Sequence, residues 1–356
     1  MLNDVSAYLE LNKLKLSGVG TFYEHVVAQT ADLAAALKLI GVNSGAVRRS
    51  SSNKLLMRVN CRDAGIATPE FEVINLSNKN QLLNAIKRVG VPCVIKPIFG
   101  AESYGTVKVE FLSKIDEVIE EIKLNTTSDK KEIYKNFNGL CLVEKYLPGK
   151  VVSVDGLIQN DTIMIVGMVE FIMGPEPRFT QEANYIPARI DQKKKNDCKL
   201  MTRKIIKVLG LNNCGFHCEL RITPQGPVLL EIAARLPGGP LQLGYKEAYG
   251  IDLTSEMVDI WLGKKIKINT KVLNNVLQKA VFPRNKGKIL DISGLKAAKK
   301  INGVWDFSEI AKKNEDVVTY PDIPKPFYYY AIKANTLEKL QEISNKVEET
   351  VKIVIK

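Results

Sequence analysis

The sequence predicts an α+β protein built from two or three small domains. Its 356 residues are enough for at least one sizeable core. Segments with helical spacing of apolar residues alternate with short strands, and one hairpin at 215–235 has a register that can be read directly. Hydrophobic residues make up 45% and charged residues 25% of the chain, which is typical of a globular protein.

Capping residues and apolar periodicity give the order of the predicted elements. Helices are predicted at 28–39, 54–64, 80–89, 114–124, 199–209, 252–262 and 337–351. Strands are predicted at 71–74, 91–97, 106–111, 140–147, 151–159 and 163–171, and short strands return after about 270. The stretch 172–192 contains glycine and several prolines and is predicted to be a long irregular loop. The lysine run 193–195 is predicted to be part of a solvated loop.

The net charge of +12 does not come from one basic segment. Lysines are spread along the chain and do not interleave with aromatic residues, so we expect no nucleic-acid partner. A small anionic substrate accounts for a basic cleft equally well. No stretch reaches the roughly 18 apolar residues of a membrane span, and residues 1–16 lack a signal-peptide core. We therefore expect a cytoplasmic protein with no membrane partner.

Six cysteines are scattered along the sequence, and four of them lie inside apolar runs. This pattern predicts reduced, buried thiols rather than a disulfide framework. Cys214 and Cys218 flank His217, but no second Cys/His pair is present to complete a zinc site.

The hairpin at 215–235 is the most informative segment. The turn sequence Thr-Pro-Gln-Gly at 223–226 predicts a three-residue loop, and that register places Glu219 directly opposite Glu231. Directly opposed like charges destabilise a sheet, so we predict a divalent cation between them, preferably Mg²⁺ because the ligands are hard oxygens. A solvated face neutralised by Arg221 and Arg235 is the alternative. The predicted core face consists of Phe216, Cys218, Leu220, Ile222, Val228, Leu230, Ile232 and Ala234.

Other segments carry weaker signals. Lys96 interrupts an apolar strand, and the small-residue loop 99–105 that follows could offer backbone N–H groups to phosphates, although it is not a Walker A loop. Glu144 and the backbone after it could hold an adenine ring, but an ordinary charged strand end is the simpler interpretation. Lys54 opens a helix and, taken alone, is an unremarkable surface lysine.

Together and in this order, these segments resemble the ATP-grasp superfamily. The resemblance covers roughly residues 30–350 and implies two α+β lobes that clamp ATP, a shortened N-terminal region and a small β-rich C-terminal part. Residues 231–235 with Gly238 and Gly239 are most similar to the branch of bacilysin-type L-amino-acid ligases and biotin-carboxylase-like proteins. The matching segments are 53–54, 64–69, 94–97, 99–105, 142–147, 218–219 and 231–235.

The resemblance implies ATP and Mg²⁺ as cofactors, with Mn²⁺ as a possible substitute. It implies Glu219 and Glu231 as metal ligands, and Arg235 and Lys96 as catalytic residues. The implied reaction is ADP-forming: a small carboxylate becomes an acyl phosphate and is attacked by an amine, which would join amino acids or short peptides. The residues implied to bind the nucleotide are Lys54, Lys96, Gly100, Ser103, Gly105, Glu144, Lys145 and Leu147.

The implied domains are an N-terminal region at 1–53, a small lobe at 54–150 with a lid at about 91–150, a large lobe at 151–270, and a C-terminal subdomain at 271–356. Two positions depart from the family pattern: Ala233 stands where many members have Asn, and Val151 where many have an acidic ribose contact. Fewer residues precede Lys54 than in the family, so a homodimer that completes the substrate wall is a hypothesis.

Two other functions remain open on the sequence alone. A kinase on the same fold would leave a stable phosphorylated product, and a degenerate, non-catalytic nucleotide-binding protein is suggested by Ala233. Arg178, Tyr185 and Arg189 are candidate contacts for a substrate carboxylate in the long loop. His217 shares the face of the predicted metal pair, and it could contact substrate or make a structural hydrogen bond.

Overall fold

The computed structural model describes residues 2–100, 105–126, 137–176, 179–319, 322 and 324–356. Its described α-helices fall mostly where apolar periodicity predicts them. They are α1 Leu2–Leu11, α2 Val27–Ala36, α3 Ser44–Arg48, α4 Lys54–Asp63, α5 Lys79–Val89, α6 Ile115–Asn125, α7 Gln192–Leu209, α8 Leu241–Tyr249, α9 Leu253–Trp261, α10 Leu295–Ala298 and α11 Leu337–Thr350.

The described strands pair antiparallel in every sheet. Together with the helices they confirm the predicted α+β class. The strands are β1 Phe71–Asn75, β2 Cys93–Pro97, β3 Val107–Val109, β4 Leu140–Lys145, β5 Lys150–Gln159, β6 Thr162–Met173, β7 Gln181–Ile186, β8 Cys214–Thr223, β9 Gly226–Ala233, β10 Asn275–Val281, β11 Gly287–Ser293, β12 Val304–Glu309, β13 Asp316–Val317, β14 Tyr328–Ala334 and β15 Lys352–Ile355.

A four-stranded sheet in the order β1-β4-β2-β3 forms the small lobe. Its inner face packs against α5 and α6, whose apolar stripes include Leu82, Ile86 and Ile122, all essentially inaccessible to solvent. Each of these helices is too short to be stable alone, so burial of the stripe against the sheet is what holds it in place.

An eight-stranded sheet in the order β12-β14-β10-β7-β6-β5-β8-β9 forms the centre of the molecule. One face packs against α4 and α7 through residues such as Met57 and Ile205, and the opposite face packs against α8 and α9 through Tyr245 and Ile260. The strands β10, β12 and β14 belong to this same sheet, so the C-terminal part is hydrogen-bonded to the large lobe. The domain boundaries given above stay predictions.

The predicted irregular loop at 172–192 is wrong in its centre, where residues 181–186 form β7. This strand pairs with both β6 and β10, and Ala183 and Ile186 are buried. Pro175 and Pro187 lie outside the paired residues, where they interrupt no ladder hydrogen bond, and Pro177 lies outside the described residues. The strand signal in Gln-Glu-Ala-Asn-Tyr-Ile is weak, because polar and apolar residues alternate only over its middle.

The lysine run 193–195 lies in a helix and not in a loop. The helix α7 begins at Gln192 because the Asp191 side chain caps it by accepting a hydrogen bond from the backbone N–H of Lys194 at 2.8 Å. The structure also contains α8 and β15, which the periodicity argument did not predict. All six cysteines are free and buried, which confirms the prediction of unpaired thiols.

The N-terminal segment, here residues 18–24, packs against Trp261 at the end of α9. Gly20 is so close to Trp261 that an added Cβ atom would lie 2.2 Å from the indole ring. The ring centroids of Phe22 and Trp261 lie 5.2 Å apart. Within the described residues, no helix is both long and apolar enough to cross a membrane.

Replacing Gly20 with alanine is expected to displace this segment from Trp261, because the new methyl group has no room. Overpacking of this kind costs about 1–3 kcal/mol. The expected results are faster cleavage of the segment in limited proteolysis and a changed tryptophan emission spectrum. Gly238→Ala is the matched control, because the atom nearest to its added Cβ would be 4.0 Å away. Equal proteolysis rates in the two variants would contradict the prediction.

Candidate functional site

The hairpin of β8 and β9 brings together the two acidic residues that the sequence singled out. Glu219 is directly opposite Glu231, as predicted. Beyond this pair the register shifts by one residue, so that Leu220 faces Leu229 and the turn consists of the two residues Pro224 and Gln225.

The shift corrects the predicted three-residue loop and part of the predicted core face. Leu229 is fully buried, whereas Leu230 and Val228 are only partly buried. A β-bulge of one residue moves every later side chain of the strand to the opposite face. The bulge lies between the acidic pair and the turn, so it leaves the pairing of the two glutamates unchanged.

The two carboxylates are partly accessible to solvent. The side chains of Glu219 and Glu231 are 29% and 30% exposed, so a ligand can reach them. Lys54 lies beside them, with its Nζ 3.5 Å from Oε2 of Glu231, and the same Nζ donates to the carbonyl oxygen of Gly100 at 2.7 Å. Lys54 is buried and opens α4 after the capping residue Asn53, so it is not the surface lysine that it resembles in isolation.

Lys96 belongs to a second buried charge cluster. Its Nζ lies 2.7 Å from Oε2 of Glu144, and Oε1 of Glu144 accepts from Nε of Arg58 at 2.7 Å. Burial lowers the pKa of Lys96 to about 8, although the neighbouring Glu144 opposes this shift. Burial alone would raise the pKa of Glu144, but Arg58 and Lys96 outweigh it and lower that pKa to about 2. Glu144 is therefore ionised and held by two cations, and its contact with adenine stays a prediction.

The Glu144 cluster predicts a loss of stability in acid. Its folded-state pKa of about 2 lies below the ordinary value of 4.5, so its contribution is complete above about pH 4.5 and is lost as the pH falls toward 2. By linkage that contribution is about 3 kcal/mol. Urea unfolding at a series of pH values measures it, and Glu144→Gln, which lacks this titration, is expected to show a shallower fall below pH 4.5. Parallel curves for the two proteins would contradict the assignment.

Arg58 was missed by the sequence argument. It has no accessible surface, and besides Glu144 its Nη2 donates to the carbonyl oxygen of Leu230 at 2.7 Å. It thereby joins α4 to β4 of the small lobe and to β9, the strand that carries Glu231. A signal was present, because the buried positions 54, 57, 58 and 61 form one helical stripe on α4.

Arg235 follows β9 and makes an ion pair between its Nε and the Glu24 carboxylate of the N-terminal segment. Its Nη1 donates to the carbonyl oxygen of Leu236 at 2.8 Å. The Arg235 and Glu24 side chains are only 16% and 12% exposed, so the guanidinium is anchored. Arg235 is a predicted catalytic residue, but its contact with Glu24 was not predicted, because the two positions are too far apart for any local pattern to connect.

The predicted nucleotide loop is described in part. Gly100 has a φ of 139° and its carbonyl oxygen accepts from Lys54, whereas Ser103 lies outside the described residues. Gly105 has a φ of 70°, and an added Cβ would lie 2.9 Å from a side-chain atom of Thr126, so glycine is required there. The hydrogen bond from Lys54 keeps the Gly100 carbonyl group close to that lysine.

The backbone N–H of Lys145 donates to the carbonyl oxygen of Glu70 at 2.9 Å. Leu147 follows at the end of β4 and is half-buried. The adenine-binding roles of Lys145 and Leu147 stay predictions.

His217 is part of a buried polar chain on the same face as the acidic pair. Its Nδ1 lies 2.6 Å from Oδ1 of Asp155, and its Nε2 lies 3.1 Å from Oε1 of Glu219. Burial would lower the pKa of His217, but Asp155 and Glu219 outweigh it and raise the pKa to about 10. Both ring nitrogens therefore carry protons and donate to carboxylates.

The candidate substrate contacts near the long loop divide into two groups. Arg189 stacks over the Tyr185 ring at 3.3 Å, and its Nε donates to Oε2 of the buried Glu170 at 2.8 Å. Arg189 and Tyr185 are therefore fixed by each other and by Glu170. Arg178 lies outside the described residues.

The acidic pair fits a Mg²⁺ site in the nature of its donors. Glu219 and Glu231 offer hard carboxylate oxygens on adjacent strands, and both are open to the cleft. Within the described part of the chain, no group of three or more His, Cys, Asp or Glu side chains is arranged to hold a metal ion. Two carboxylates are nevertheless the usual protein contribution for Mg²⁺, since water and phosphate oxygens supply the remaining ligands.

Residues 89–241 match the family model described as ATP-grasp domain. The chain is 22% identical over 348 residues to the uncharacterized protein y4rH of Sinorhizobium fredii. The aligned region covers 98% of the chain and 70% of that relative. It is 20% identical over 245 residues to alanine–anticapsin ligase of Bacillus subtilis, covering 65% of the chain but only 51% of that enzyme. The chain thus spans about half the length of that ligase.

A solved structure, the L-amino acid ligase from Bacillus licheniformis, superposes over the whole chain. Its TM-score is 0.84, with 17% sequence identity and 85% of that structure covered. The match shows that the arrangement of lobes and sheets described above is the ATP-grasp fold, as predicted. The matched region 89–241 contains Lys96, Glu144, Glu219, Glu231 and Arg235.

Proposed function

Because the chain carries an ATP-grasp domain, we propose that it is an ATP-dependent, ADP-forming ligase. It activates the carboxylate of a small molecule and joins it to an amine through a new carbon–nitrogen bond. The observation that carries the proposal is the Glu219–Glu231 pair, which is open to the cleft and has Lys54 beside it. A like-charged pair at this position is costly in a protein that binds no cation there.

We assign the ATP-binding part of the site first from its lysine side chains. Lys54 and Lys96 contact the ATP phosphates, and the predicted phosphate loop contributes Gly100 and Gly105. Glu219 and Glu231 hold Mg²⁺, and the backbone of Lys145 and Leu147 with the carboxylate of Glu144 holds adenine. The chemistry that Mg²⁺ supplies when bound is neutralisation of the negative charge on the phosphate oxygens.

The reaction then needs orientation and charge stabilisation more than acid–base chemistry. A carboxylate oxygen of the substrate attacks the γ-phosphorus atom, ADP leaves, and an acyl phosphate forms. The amine attacks the acyl carbon, loses a proton, and inorganic phosphate leaves. Arg235 follows directly after β9 and is anchored through Nε and Nη1. It is the group that stabilises the transferring phosphoryl group and the acyl phosphate.

Amino acids or short peptides are the proposed substrate class. Two proteins similar to this chain bear names of that chemistry, an alanine–anticapsin ligase and an L-amino acid ligase. Because the chain spans only about half of the first of these, specificity cannot be carried over residue by residue.

The proposal is tested by measuring phosphate release from Mg-ATP. A panel of amino acids and dipeptides is added, first singly and then in pairs. We expect release that requires both a carboxylate and an amine, with ADP as the nucleotide product and a condensed product in the mass spectrum.

The other functions give different results in the same assay. A stable phosphorylated product without any need for an amine would identify a kinase and refute ligation. Mg-ATP binding with no turnover for any pair would favour a non-catalytic nucleotide-binding protein, which the alanine at position 233 suggests. No nucleotide binding at all would refute both.

A further inference from the structure

A continuous chain of buried polar groups ends at Glu219. The hydroxyl groups of Tyr245 and Ser153 donate to Oδ2 of Asp155 at 2.6 and 2.7 Å. The other oxygen of Asp155 accepts from Nδ1 of His217 at 2.6 Å, and Nε2 of His217 donates to Oε1 of Glu219 at 3.1 Å. Asp155 and Ser153 have no accessible surface, and neither does Tyr245, so the first links of this chain are shielded from water.

We propose that His217, held by Asp155, is a positioning residue for the metal site: it fixes the Glu219 carboxylate and leaves the second oxygen of that group for Mg²⁺. The inference rests on the proposed function, because it assigns Glu219 to the metal. A ligand carboxylate that is itself hydrogen-bonded is oriented before the ion arrives, and such supporting partners commonly contribute 10- to 100-fold to metal affinity, in order of magnitude.

The surroundings of His217 explain why support is needed at this position. His217 faces Ala233 across the strand pair, so the partner position on β9 places only a methyl group beside the imidazole ring. Glu219 directly faces Glu231, and their repulsion would turn one carboxylate away in the absence of the ion. The hydrogen bond between Nε2 of His217 and Oε1 of Glu219 opposes that movement and keeps the pair together.

A purely structural role for the same hydrogen bonds makes a different prediction. Loss of a buried hydrogen bond lowers stability, but it leaves the effect of Mg²⁺ on nucleotide binding unchanged in the molecules that remain folded. The quantity that separates the two roles is therefore the ratio of ADP affinities measured with Mg²⁺ and with EDTA.

The experiment is titration calorimetry of ADP binding to the full chain, in Mg²⁺ and in EDTA. In His217→Ala we expect the enhancement of ADP binding by Mg²⁺ to fall by about 10- to 100-fold, with ADP affinity in EDTA nearly unchanged. His217→Gln can still donate to Glu219 through its amide and is expected to retain more of the enhancement. Asp155→Asn is expected to behave like His217→Ala, because the ring loses its anionic partner.

Two buried tyrosines provide a matched pair should the histidine variants fold poorly. Tyr245→Phe removes one donor to Asp155 and is expected to reduce the Mg²⁺ enhancement by a smaller factor. Tyr330→Phe is the control, because the Tyr330 hydroxyl contacts Ser344 and Glu348 in the C-terminal core. It is expected to lower the melting temperature without changing the Mg²⁺ enhancement.

Three outcomes would overturn the inference, each in a distinguishable way. An unchanged Mg²⁺ enhancement in folded His217→Ala and Tyr245→Phe would leave His217 a structural residue. Nitrogen coupling from an imidazole in the pulsed electron paramagnetic resonance spectrum of the Mn²⁺–ADP complex would make His217 a metal ligand instead. If the wild-type protein shows no Mg²⁺-dependent ADP binding, the proposed function fails together with the inference.

Discussion

Replacing Glu231 with glutamine is expected to lower the rate of ADP formation by about 10²- to 10⁴-fold, which corresponds to a loss of several kcal/mol of transition-state stabilisation. The side chain keeps its size but loses its charge, so the proposed Mg²⁺ site loses one of its two carboxylates. The nearby Nζ of Lys54, 3.5 Å from the Glu231 carboxylate, loses its anionic partner as well. The measurement is coupled detection of ADP with the best substrate pair from the panel.

The same substitution is expected to change the stability of the metal-free protein by less than about 1 kcal/mol, because relief of the repulsion with Glu219 opposes the loss of the Lys54 contact. Glu219 and Glu231 repel each other across the strand pair, and removing one of two opposed like charges relieves roughly 0.2–1 kcal/mol. A variant that loses activity without losing stability points to a functional group that the fold does not need. Glu309, an exposed glutamate at the end of β12, provides the control substitution Glu309→Gln, which should change neither quantity. Full activity of Glu231→Gln would remove this residue from the metal site.

The sequence predicts this part of the site because the information is local. A hairpin register depends on a few neighbouring residues, and Glu219 and Glu231 are connected by one short turn. The capping residue Asn53 likewise predicts the start of α4, where its side chain accepts from the N–H of Leu56. The bulge near Leu230 was not predicted, because alternation of apolar residues is similar on both sides of it.

Contacts between distant segments are the part that the sequence does not predict. Glu24 with Arg235 and Arg58 with Glu144 are ion pairs between residues far apart in the chain. Periodicity assigns a residue to a face of its own helix or strand, but it does not select the charged partner on another element. The strand β7 was missed for a related reason, since its neighbours β6 and β10 supply the pairing that outweighs the nearby prolines.

The buried position of Arg58 leads to the largest expected effect on stability. Arg58→Leu is expected to lower the free energy of unfolding by about 3–5 kcal/mol, because removing one partner leaves the other charge buried and undercompensated. Glu144 keeps Lys96 but loses its two contacts with Arg58, at 2.7 and 3.3 Å, and the carbonyl oxygen of Leu230 loses its donor. Urea unfolding without nucleotide or metal measures the loss.

Two further variants separate the buried ion pair from a general effect of removing a positive charge from α4. Arg62 lies on the same helix and pairs with Asp63 at 3.0 Å, with both side chains more than half exposed, so Arg62→Ala should cost less than about 1 kcal/mol. Adding Glu144→Gln to Arg58→Leu should recover part of the loss, because the uncompensated charge is then gone. A loss below about 1 kcal/mol for Arg58→Leu alone would mean that Lys96 compensates Glu144 by itself. Arg58 would then not be the residue that holds α4, the small lobe and the hairpin of β8 and β9 together.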